Sequence, residues 1–359
     1  MRKAAVVVIG PFPEPIQGAA IVTEKLFDLL AAHGACPSRI DLSPGRARKW
    51  RYHLTRMMRA ASGFFRILGS SASERYLMSV DGGAGLIYNV LLALAVRIRR
   101  RPLLLYHHST RYIFANSVLM RLLIAVSGRD APHAMCSATM LRLFRSRYNV
   151  EAPAMIINNA AWVDVPDVSA RQRGGRLRLG HLSSLKKEKG LDRAIATLRE
   201  LRSRGINAEL VLAGKPQDTK AEHTIALALA EFGDAVTYAG VLTGKSKAAF
   251  YASLDYFLFP SLYDHETQSL VVPEALAAGT PVVAYDHCFV GELLAGGGLL
   301  IPPEQSFSDA ASDWILSENG ADRRSVARLQ LETLRNEAAG QIMLVLSWAL
   351  IGMDGRAGD

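Results

Sequence analysis

Residues 260–284 read PSLYDHETQSLVVPEALAAGTPVVA, and this stretch decides the fold. An apolar strand leads into it at DYFLFPS (255–261), and another closes it at TPVVAYD (280–286). A helix between them is predicted to begin near Val271 and to end in small residues that let it pack closely on a strand. The stretch therefore predicts a strand, loop, helix and strand of a parallel sheet.

Short apolar strands and longer amphipathic helices alternate along the rest of the chain. Further strands are predicted at AAVVVIG (4–10), RPLLLYHHS (101–109), RLRLGHL (176–182) and AELVLAGKP (208–216). Apolar strands that alternate with helices are typical of α/β proteins whose parallel sheets are covered on both faces. Two such series meet in a polar segment at 160–175, so we expect two Rossmann-like domains, over 1–165 and 166–337.

Composition excludes several classes of protein. The 359 residues carry a net charge of +9 and half are hydrophobic, which excludes disordered and collagen-like chains. Three cysteines that lie far apart exclude a disulfide framework and a Cys-x-x-Cys metal site. No apolar run is long enough for a membrane span, and the first one is too short for a signal peptide. We therefore expect a cytoplasmic protein.

Positive charge is concentrated in the first half of the chain. Residues 1–165 hold 22 Lys and Arg against 9 Asp and Glu, a net charge of +13, and the remainder has −4. The basic residues are densest over 46–66, where apolar and aromatic residues lie between them, as in a helix that lies on anionic lipid. The alternative is a solvated helix face whose arginine stems pack on the core. The residues expected to meet an acceptor or a membrane are Arg48, Lys49, Arg51, Arg56 and Arg59. No nucleic-acid-binding motif accompanies the charge, so nucleic acid is not expected as a partner.

Two glutamates in residues 260–284 are candidates for binding a hydroxylated ligand. Glu266 lies in the loop after a strand, and Glu274 lies one turn into the helix. The backbone N–H groups of 267–269 are expected at the helix N-terminus, where unpaired amides and the helix dipole favour anions. Glu274 is placed to accept hydrogen bonds from a vicinal diol such as a ribose. Glutamates at this spacing are also common on solvated helices, so the neighbouring residues decide between the two interpretations.

Those neighbouring residues resemble the donor site of retaining nucleotide-sugar glycosyltransferases, glycosyltransferase family 4 of the GT-B fold. The family has Glu, seven residues, Glu and then Ala-Leu-Ala-Ala-Gly-x-Pro-Val-Val, and the match is unbroken from Pro273 to Ala284. Lys189, before a predicted helix, resembles the family's phosphate-binding lysine. The resemblance implies two Rossmann-like domains that face each other across a cleft, with the C-terminal helix, 338–359, packing back on the first.

The resemblance also implies roles for these residues. Glu266 is expected to face the hydroxyl groups of the donor sugar, and Glu274 to hold the ribose. The amides of Thr267, Gln268 and Ser269 are expected beside the sugar. Lys189 is expected to pair with the diphosphate and to neutralise its charge as the nucleoside diphosphate leaves. Because lysine and amide groups can offset this charge, neither a metal ion nor a cofactor is expected.

Two positions depart from the family's pattern. Gly-Phe-Gly commonly follows the first Glu, whereas this chain has Thr-Gln-Ser, which leaves the identity of the sugar open. An Arg usually stands five residues before the Lys, and this chain has Ser184 there. Ser183 and Ser184 can still donate hydrogen bonds to a diphosphate.

The first half of the chain resembles the family less closely. Gly18 stands where the family has a glycine pair close to the diphosphate, and a residue without a side chain lets backbone amides reach an anion. An ordinary turn is the alternative. His107 and His108 end a predicted strand, where the family often has a histidine. Neighbouring strand residues point to opposite faces, and His108 is favoured as the catalytic one of the two.

Together these features predict a retaining hexosyltransferase. It would move a hexose from a UDP- or GDP-sugar to a hydroxyl of a lipid-linked or polysaccharide acceptor, in cell-surface, exopolysaccharide or lipopolysaccharide biosynthesis. Peripheral association with the inner face of the cytoplasmic membrane is part of this expectation. The alternatives are a nucleotide-sugar epimerase on the same fold and a non-catalytic partner of a polysaccharide synthase that binds nucleotide sugar or membrane.

Overall fold

A computed structural model describes residues 4–14, 17–45, 50–166, 175–317 and 322–350. The chain divides into two compact units. The first contains the described residues up to Asn158 and those from Glu337 onward, and the second runs from Asn159 to Asn336. The boundary falls earlier than the predicted 165/166, because Asn159 is hydrogen-bonded to Gln268 of the second unit.

The first unit is built on a six-stranded parallel sheet with the strand order β2-β1-β3-β4-β5-β6. Its strands are β1 (Ala5–Gly10), β2 (Cys36–Asp41), β3 (Glu74–Val80), β4 (Leu103–His107), β5 (His133–Met135) and β6 (Ala154–Ile156). Its helices are α1 (Gly18–Ala32), α2 (Trp50–Leu68), α3 (Leu86–Ile98), α4 (Arg111–Phe114), α5 (Val118–Ser127) and α6 (Ala138–Tyr148).

The second unit is also built on a six-stranded parallel sheet, with the strand order β12-β11-β10-β7-β8-β9. Its strands are β7 (Leu177–Leu182), β8 (Ala208–Ala213), β9 (Val236–Tyr238), β10 (Tyr256–Phe259), β11 (Val282–Tyr285) and β12 (Gly298–Ile301). Its helices are α7 (Leu191–Ser203), α8 (Thr219–Phe232), α9 (Gly244–Ala252), α10 (Val271–Ala277), α11 (Val290–Leu294) and α12 (Phe307–Leu316), and α13 (Arg323–Leu350) begins in it.

Helices cover both faces of the second sheet, as the apolar strands predict. In β10, Phe257 and Phe259 pack into one hydrophobic cluster, whereas Tyr256 and Leu258 pack into another. Alternate residues of a strand point to opposite faces, so the two clusters lie on the two faces of the sheet. Complete burial of a phenylalanine contributes about 1.5–3 kcal/mol, which explains why β10 is built from aromatic residues and leucine.

The strand order of the second unit places β7 beside β10, and the order of the chain reverses between them. Ligands of open parallel sheets bind outside the carboxyl ends of the strands at such a switch point. The loop after β7 leads to Lys189, and the loop after β10 leads to Glu266. In the first unit the corresponding position lies between β1 and β3.

Helix α13 belongs to both units. Ala327, Leu331 and Leu334 are buried in the core of the second unit. Further along, Gln341 Oε1 accepts a hydrogen bond of 3.2 Å from the backbone N–H of Ile156 in the first unit. Of the predicted helix 338–359, residues 351–359 lie outside the described part. No helix in the described ranges is long and apolar enough to cross a membrane.

Candidate functional site

A short turn before α7 presents Lys189 at the carboxyl ends of β7 and β10. Gly190 ends this turn with φ of +85°, a conformation that favours glycine, and a Cβ there would stand 2.3 Å from the carbonyl oxygen of Pro260. The backbone N–H of Leu262 donates to the carbonyl of Glu188 over 3.0 Å. The turn is therefore held directly against the loop that follows β10.

Lys189 and Glu266 form an ion pair in this position. Their side chains are only 11% and 14% exposed. The Lys189 ammonium also lies 4.7 Å from the centre of the Tyr263 ring, and the Lys186 ammonium lies 3.8 Å from it. Both ammonium groups thus lie over the Tyr263 ring at the end of the sheet, and that of Lys189 also pairs with the Glu266 carboxylate.

Burial and the neighbouring charge of Lys186 lower the pKa of Lys189 to about 8. The contact with Glu266 acts in the opposite direction, because an adjacent carboxylate favours the charged ammonium. At neutral pH the lysine is therefore protonated, with a proton that it gives up more easily than a surface lysine does.

Glu274 is held by α9 as well as by its own helix. Lys247 Nζ donates to Glu274 Oε1 over 2.5 Å, and Tyr251 Oη donates to Glu274 Oε2 over 3.0 Å. Burial and the Glu274 carboxylate raise the pKa of Tyr251 well above its usual value, so its hydroxyl stays a donor. A carboxylate has about four lone-pair sites, and these contacts leave capacity for a ligand diol.

Thr267, Gln268 and Ser269 lie before the helix rather than in its first turn, since α10 begins at Val271 with Leu270 as its N-cap. In this described segment, the three backbone N–H groups donate to no other group of the protein. Those amides are available to a ligand. They do not belong to the first turn of α10, so the prediction that they lie at the helix N-terminus is wrong.

The side chain of Gln268 has a structural position. It is buried, and its Oε1 accepts a hydrogen bond of 3.0 Å from the backbone N–H of Asn159. The Asn159 amide in turn donates to the backbone carbonyl of Gln268. Gln268 therefore fixes the loop that contains Glu266 through its side-chain oxygen and its backbone carbonyl.

The two serines after β7 differ in their environments. Ser183 donates to His181 Nε2 over 3.0 Å, while His181 Nδ1 donates to the Leu258 carbonyl over 3.0 Å. Burial lowers the pKa of His181 to about 4, so the ring is neutral and can accept this bond. Ser184 is exposed. Ser183 is thus oriented by the core, and Ser184 is accessible.

Gly18 and the histidines lie in the first unit. Gly18 is the exposed first residue of α1, and a Cβ there would meet no atom within 4 Å. His107 is buried, with Nδ1 2.9 Å from Tyr112 Oη and Nε2 2.8 Å from His133 Nδ1, so both ring nitrogens are used in the core. His108 Nε2 is buried and has no hydrogen-bond partner among the described residues.

The predicted basic surface is partly neutralised by the protein itself. Arg56 pairs with Asp81, just after β3, and Arg59 pairs with Asp41, the last residue of β2. Arg51 is exposed, and its guanidinium lies 5.5 Å from the centre of the Trp50 ring. Arg48 and Lys49 lie outside the described residues. For Arg56 and Arg59 the structure supports the alternative of arginines packed on their own unit.

One stripe of the exposed surface of α2 is apolar. Its large exposed hydrophobic residues recur at helical spacing and are Trp50, Leu54, Met57, Met58 and Phe65.

Four residues that contact the predicted site residues or one another were not predicted, namely Lys186, Tyr263, Lys247 and Tyr251. Lys247 and Tyr251 are four residues apart in α9, a spacing that places them on one helix face, and this pattern could have identified them. Among the described residues, no three His, Cys, Asp or Glu side chains are grouped so that they could hold a metal ion.

This chain is similar to known glycosyltransferases. Residues 169–328 match the family model of glycosyl transferases group 1. The GDP-mannose-dependent alpha-(1-6)-phosphatidylinositol dimannoside mannosyltransferase of Mycobacterium tuberculosis is 29% identical over 210 residues, 55% of this chain and 53% of that protein. The GDP-mannose-dependent alpha-mannosyltransferase of Mycolicibacterium smegmatis is 33% identical over 181 residues, 48% of this chain and 44% of that protein. The chain spans about half the length of the curated relatives it matches.

Solved structures show the fold. HepE of Anabaena in complex with UDP-glucose superposes with a TM-score of 0.67 and 16% identity, over 95% of this chain and 99% of that one. WaaG, a glycosyltransferase involved in lipopolysaccharide biosynthesis, gives a TM-score of 0.63 and 14% identity, over 96% and 99% of the two chains. The chain therefore has the GT-B architecture of two Rossmann-like domains, as predicted.

Proposed function

We propose that this protein is a retaining glycosyltransferase of family 4, which transfers a hexose from a nucleoside-diphosphate sugar to an acceptor hydroxyl. The observation that carries the proposal is the largely buried Lys189–Glu266 ion pair at the switch point of the second sheet. An ion pair with this little exposure is costly to maintain for stability alone, because both charges lose their hydration. In a site that binds an anion and a polyol, the ammonium of Lys189 can bind the anion and the carboxylate of Glu266 can accept hydrogen bonds from the polyol.

In the proposed reaction the donor replaces the internal ion pair. The diphosphate takes the Lys189 ammonium, with Lys186 close by, and the donor sugar's hydroxyls donate to the Glu266 carboxylate. The unbonded amides of 267–269 are available beside the sugar. Glu274, already oriented by Lys247 and Tyr251, accepts from the ribose diol.

The chemical step needs no covalent intermediate with the protein. The bond from the anomeric carbon to the phosphate oxygen breaks, and the acceptor oxygen bonds to that carbon on the same face. The acceptor proton passes to the leaving phosphate oxygen. Lys189 stabilises the negative charge that develops on the leaving diphosphate, and this effect is strong where water is largely excluded. Neither a metal ion nor a cofactor is required in this scheme.

His108 is proposed to accept a hydrogen bond from a substrate hydroxyl. Burial lowers the pKa of His108 to about 4, so the ring is neutral at pH 7. Its Nε2 has no partner within the described residues, which supports a role with substrate. Gly18, exposed at the start of α1, is proposed to let its backbone approach an anion.

The acceptor is proposed to be a saccharide that is lipid-linked or part of a polysaccharide, bound through the first unit. The net charge of +13 over residues 1–165 supports an anionic acceptor. The apolar residues exposed on α2 support peripheral contact with an anionic membrane surface. Arg51 and the undescribed Arg48 and Lys49 would supply the charge, since Arg56 and Arg59 are paired internally.

The test is transfer from UDP- and GDP-hexoses to a polyprenyl-diphosphate-linked saccharide, with the anomeric configuration of the product determined by NMR. Glu266→Gln is expected to reduce transfer by about 10²–10³-fold, because it removes the negative charge that lies beside the reacting sugar. Nucleotide binding is expected to be kept, because Glu266 does not contact the nucleotide in this proposal. Glu304→Gln, at an exposed glutamate of the same unit, is the matched control and is expected to retain activity.

Three outcomes would contradict the proposal. Full transfer by Glu266→Gln would show that the ion pair is not needed for transfer. An isomerised sugar formed from donor alone would indicate an epimerase. Donor binding without transfer, to this acceptor or to polysaccharide fragments, would favour the non-catalytic partner.

A further inference from the structure

An open cavity of about 640 Å³ lies in the first unit. It is located where α3 and α5 end and β4 begins, which is the amino edge of the parallel sheet. Ala93, Val96 and Leu103 form its apolar part. Its polar lining comes from arginines of the segment 97–101 and from Ser127.

The arginines of this segment fall into two classes. Arg99 donates to the Ser70 carbonyl over 2.8 Å, and Arg101 donates to the Ala72 carbonyl over 2.9 Å. These two tie the end of α3 to the segment before β3. Arg97 and Arg100 also line the cavity, but within the described residues their side chains make no hydrogen bond or ion pair. Two exposed guanidinium groups therefore face one cavity without a counter-charge.

Two further polar groups of the lining have no partner. Ser127 Oγ and Arg101 Nε are buried, and neither has a hydrogen-bond partner in the part of the chain that is described. A buried polar group left without a partner is destabilising, so such groups are uncommon unless a ligand or water completes them. Both are hydrogen-bond donors that an anionic oxygen can accept from.

The backbone places Arg97 over the end of α5. Gly128 follows Ser127 with φ of +95°, and a Cβ at this position would stand 3.4 Å from Arg97 Nη1. The guanidinium therefore lies against the glycine, next to the unpartnered serine hydroxyl. A larger residue at 128 would crowd this arrangement and would have to adopt a strained conformation.

Helix C-termini offer a simpler explanation for arginines, because cations stabilise the negative end of a helix. That explanation applies to Arg97, which lies in the last turn of α3, whereas Arg99 and Arg101 bond to carbonyl groups of the segment before β3. It does not account for Arg100, which lies beyond the end of the helix, or for the unpartnered hydroxyl of Ser127. None of the described residues lining the cavity is acidic.

We infer that this cavity is a binding site for a phosphate ester, held by Arg97, Arg100 and Ser127. Guanidinium groups match the geometry of phosphate oxygens, and the hydroxyl of Ser127 completes the set of donors. The apolar wall, and the exposed Leu94 and Ile98 of α3, suit a carbon chain attached to the phosphate. The ligand class is a glycerophosphate, either free in solution or as the headgroup of an anionic phospholipid.

The site is independent of the proposed transfer reaction. It lies at the amino edge of the first sheet, whereas the candidate donor residues follow strands of the second sheet. Binding of a phosphate ester here can therefore be measured without any donor or acceptor sugar.

The experiment compares the full chain with Arg97→Gln/Arg100→Gln and with Ser127→Asp. The probes are sn-glycerol 3-phosphate, measured by isothermal titration calorimetry, and phosphatidylcholine vesicles with and without phosphatidylglycerol, measured by sedimentation. Both variants are expected to weaken binding of the phosphate probe by about tenfold or more, since each loses or opposes a charge-assisted hydrogen bond. Arg142→Gln/Arg147→Gln, on exposed positions of α6, removes the same charge elsewhere and is expected to bind normally.

The pattern of loss identifies the source of the phosphate. Weakened binding of glycerol phosphate and vesicles indicates a site open to both, and weakened binding of vesicles alone indicates a lipid headgroup. If the wild-type chain binds neither probe, or if the α6 control loses as much binding as the cavity variants, the inference is overturned. Circular dichroism and unchanged UDP binding serve to show that the variants are folded.

Discussion

The ion pairs of the two units are built from different parts of the fold. In the second unit, Lys189 and Glu266 come from different loops and meet at the switch point with little exposure. In the first unit, Arg56 and Arg59 are paired with the carboxylates that follow β3 and end β2. The unit with the larger net charge therefore has at least two of its charges neutralised internally. Net charge in a sequence does not by itself tell how much charge a ligand can reach.

A second contrast concerns apolar surface. The cores of both sheets are closed, whereas α2 exposes apolar residues at helical spacing along its outer side. An isolated apolar residue on a surface is ordinary, but a row of five along one helix is not. The first unit thus combines internal ion pairs with an external apolar face, and the second combines a closed core with an ion pair at its candidate site.

Among the substitutions discussed below, that of Lys189 is expected to have the largest effect. It tests whether the ion pair of the second unit acts in transfer. Lys189→Met is expected to reduce kcat/KM by about 10²-fold, because a cation that stabilises the leaving diphosphate is lost. Lys187→Met is the matched control, since Lys187 lies in the same turn but is exposed. Steady-state kinetics with the donor nucleotide would measure both. Equal loss in the two variants would show that the turn, and not the buried ammonium, is what matters.

The depressed pKa of Lys189 predicts a pH dependence of nucleotide affinity. A diphosphate binds the protonated lysine, so affinity is complete below pH 8 and is lost as pH rises through about 8. Above that value affinity is expected to fall by up to about tenfold for each pH unit. Calorimetric titration of UDP or GDP between neutral and alkaline pH would measure it.

Lys189→Arg provides the control for this pH profile, because a guanidinium keeps its charge throughout the range. The variant should have a flat profile over the same pH range, even if its affinity is lower. An unchanged decline near pH 8 in Lys189→Arg would assign the titration to another group.

Substitutions in α2 test whether the first unit's arginines are internal. Arg56→Gln is expected to destabilise the protein by about 1–3 kcal/mol, because Asp81 loses its partner at a position that is mostly buried. Arg51→Gln, at an exposed position of the same helix, should change stability by less than about 0.5 kcal/mol. Denaturant unfolding would measure both. Similar stability of the two variants would mean that the Arg56–Asp81 pair contributes nothing.

The smallest effect is expected at the apolar face of α2. Met57→Ser should weaken sedimentation with anionic vesicles by about fivefold, since a buried side chain of this size contributes on the order of 1 kcal/mol or more. Leu227→Ser, in α8 of the second unit, is the matched control because both side chains are 55% exposed. Equal vesicle binding by wild type and Met57→Ser would exclude this face as the membrane contact.

Much of the fold could be predicted from the sequence, but strand β3 inside the first sheet and one edge strand of each sheet were not. Strands such as β4 and β10 are continuous apolar runs, and their prediction follows from complete burial. Strand β2, with the sequence CPSRID, was not predicted, because it lies at the edge of the sheet where polar residues and proline are tolerated. Strand β12 lies at the edge of the other sheet and was also missed.

The candidate site could be predicted in part. Glu266, Glu274 and Lys189 were named from a local pattern, and the structure brings Lys189 and Glu266 into contact. The partners of Glu274 lie on α9, and Gln268 turns its side chain to Asn159. Nothing in the local pattern distinguishes a side chain that faces a ligand from one that holds a distant loop.

The sequence by itself determined that strands and helices alternate in two series, because apolar periodicity is a local property of the chain. It also determined which segments hold acidic and basic side chains. Only the tertiary structure decided which of those charges are paired, since Lys189 and Glu266, 77 positions apart, meet through the order of strands in the sheet. Coulomb attraction depends on distance in space, and the fold sets that distance.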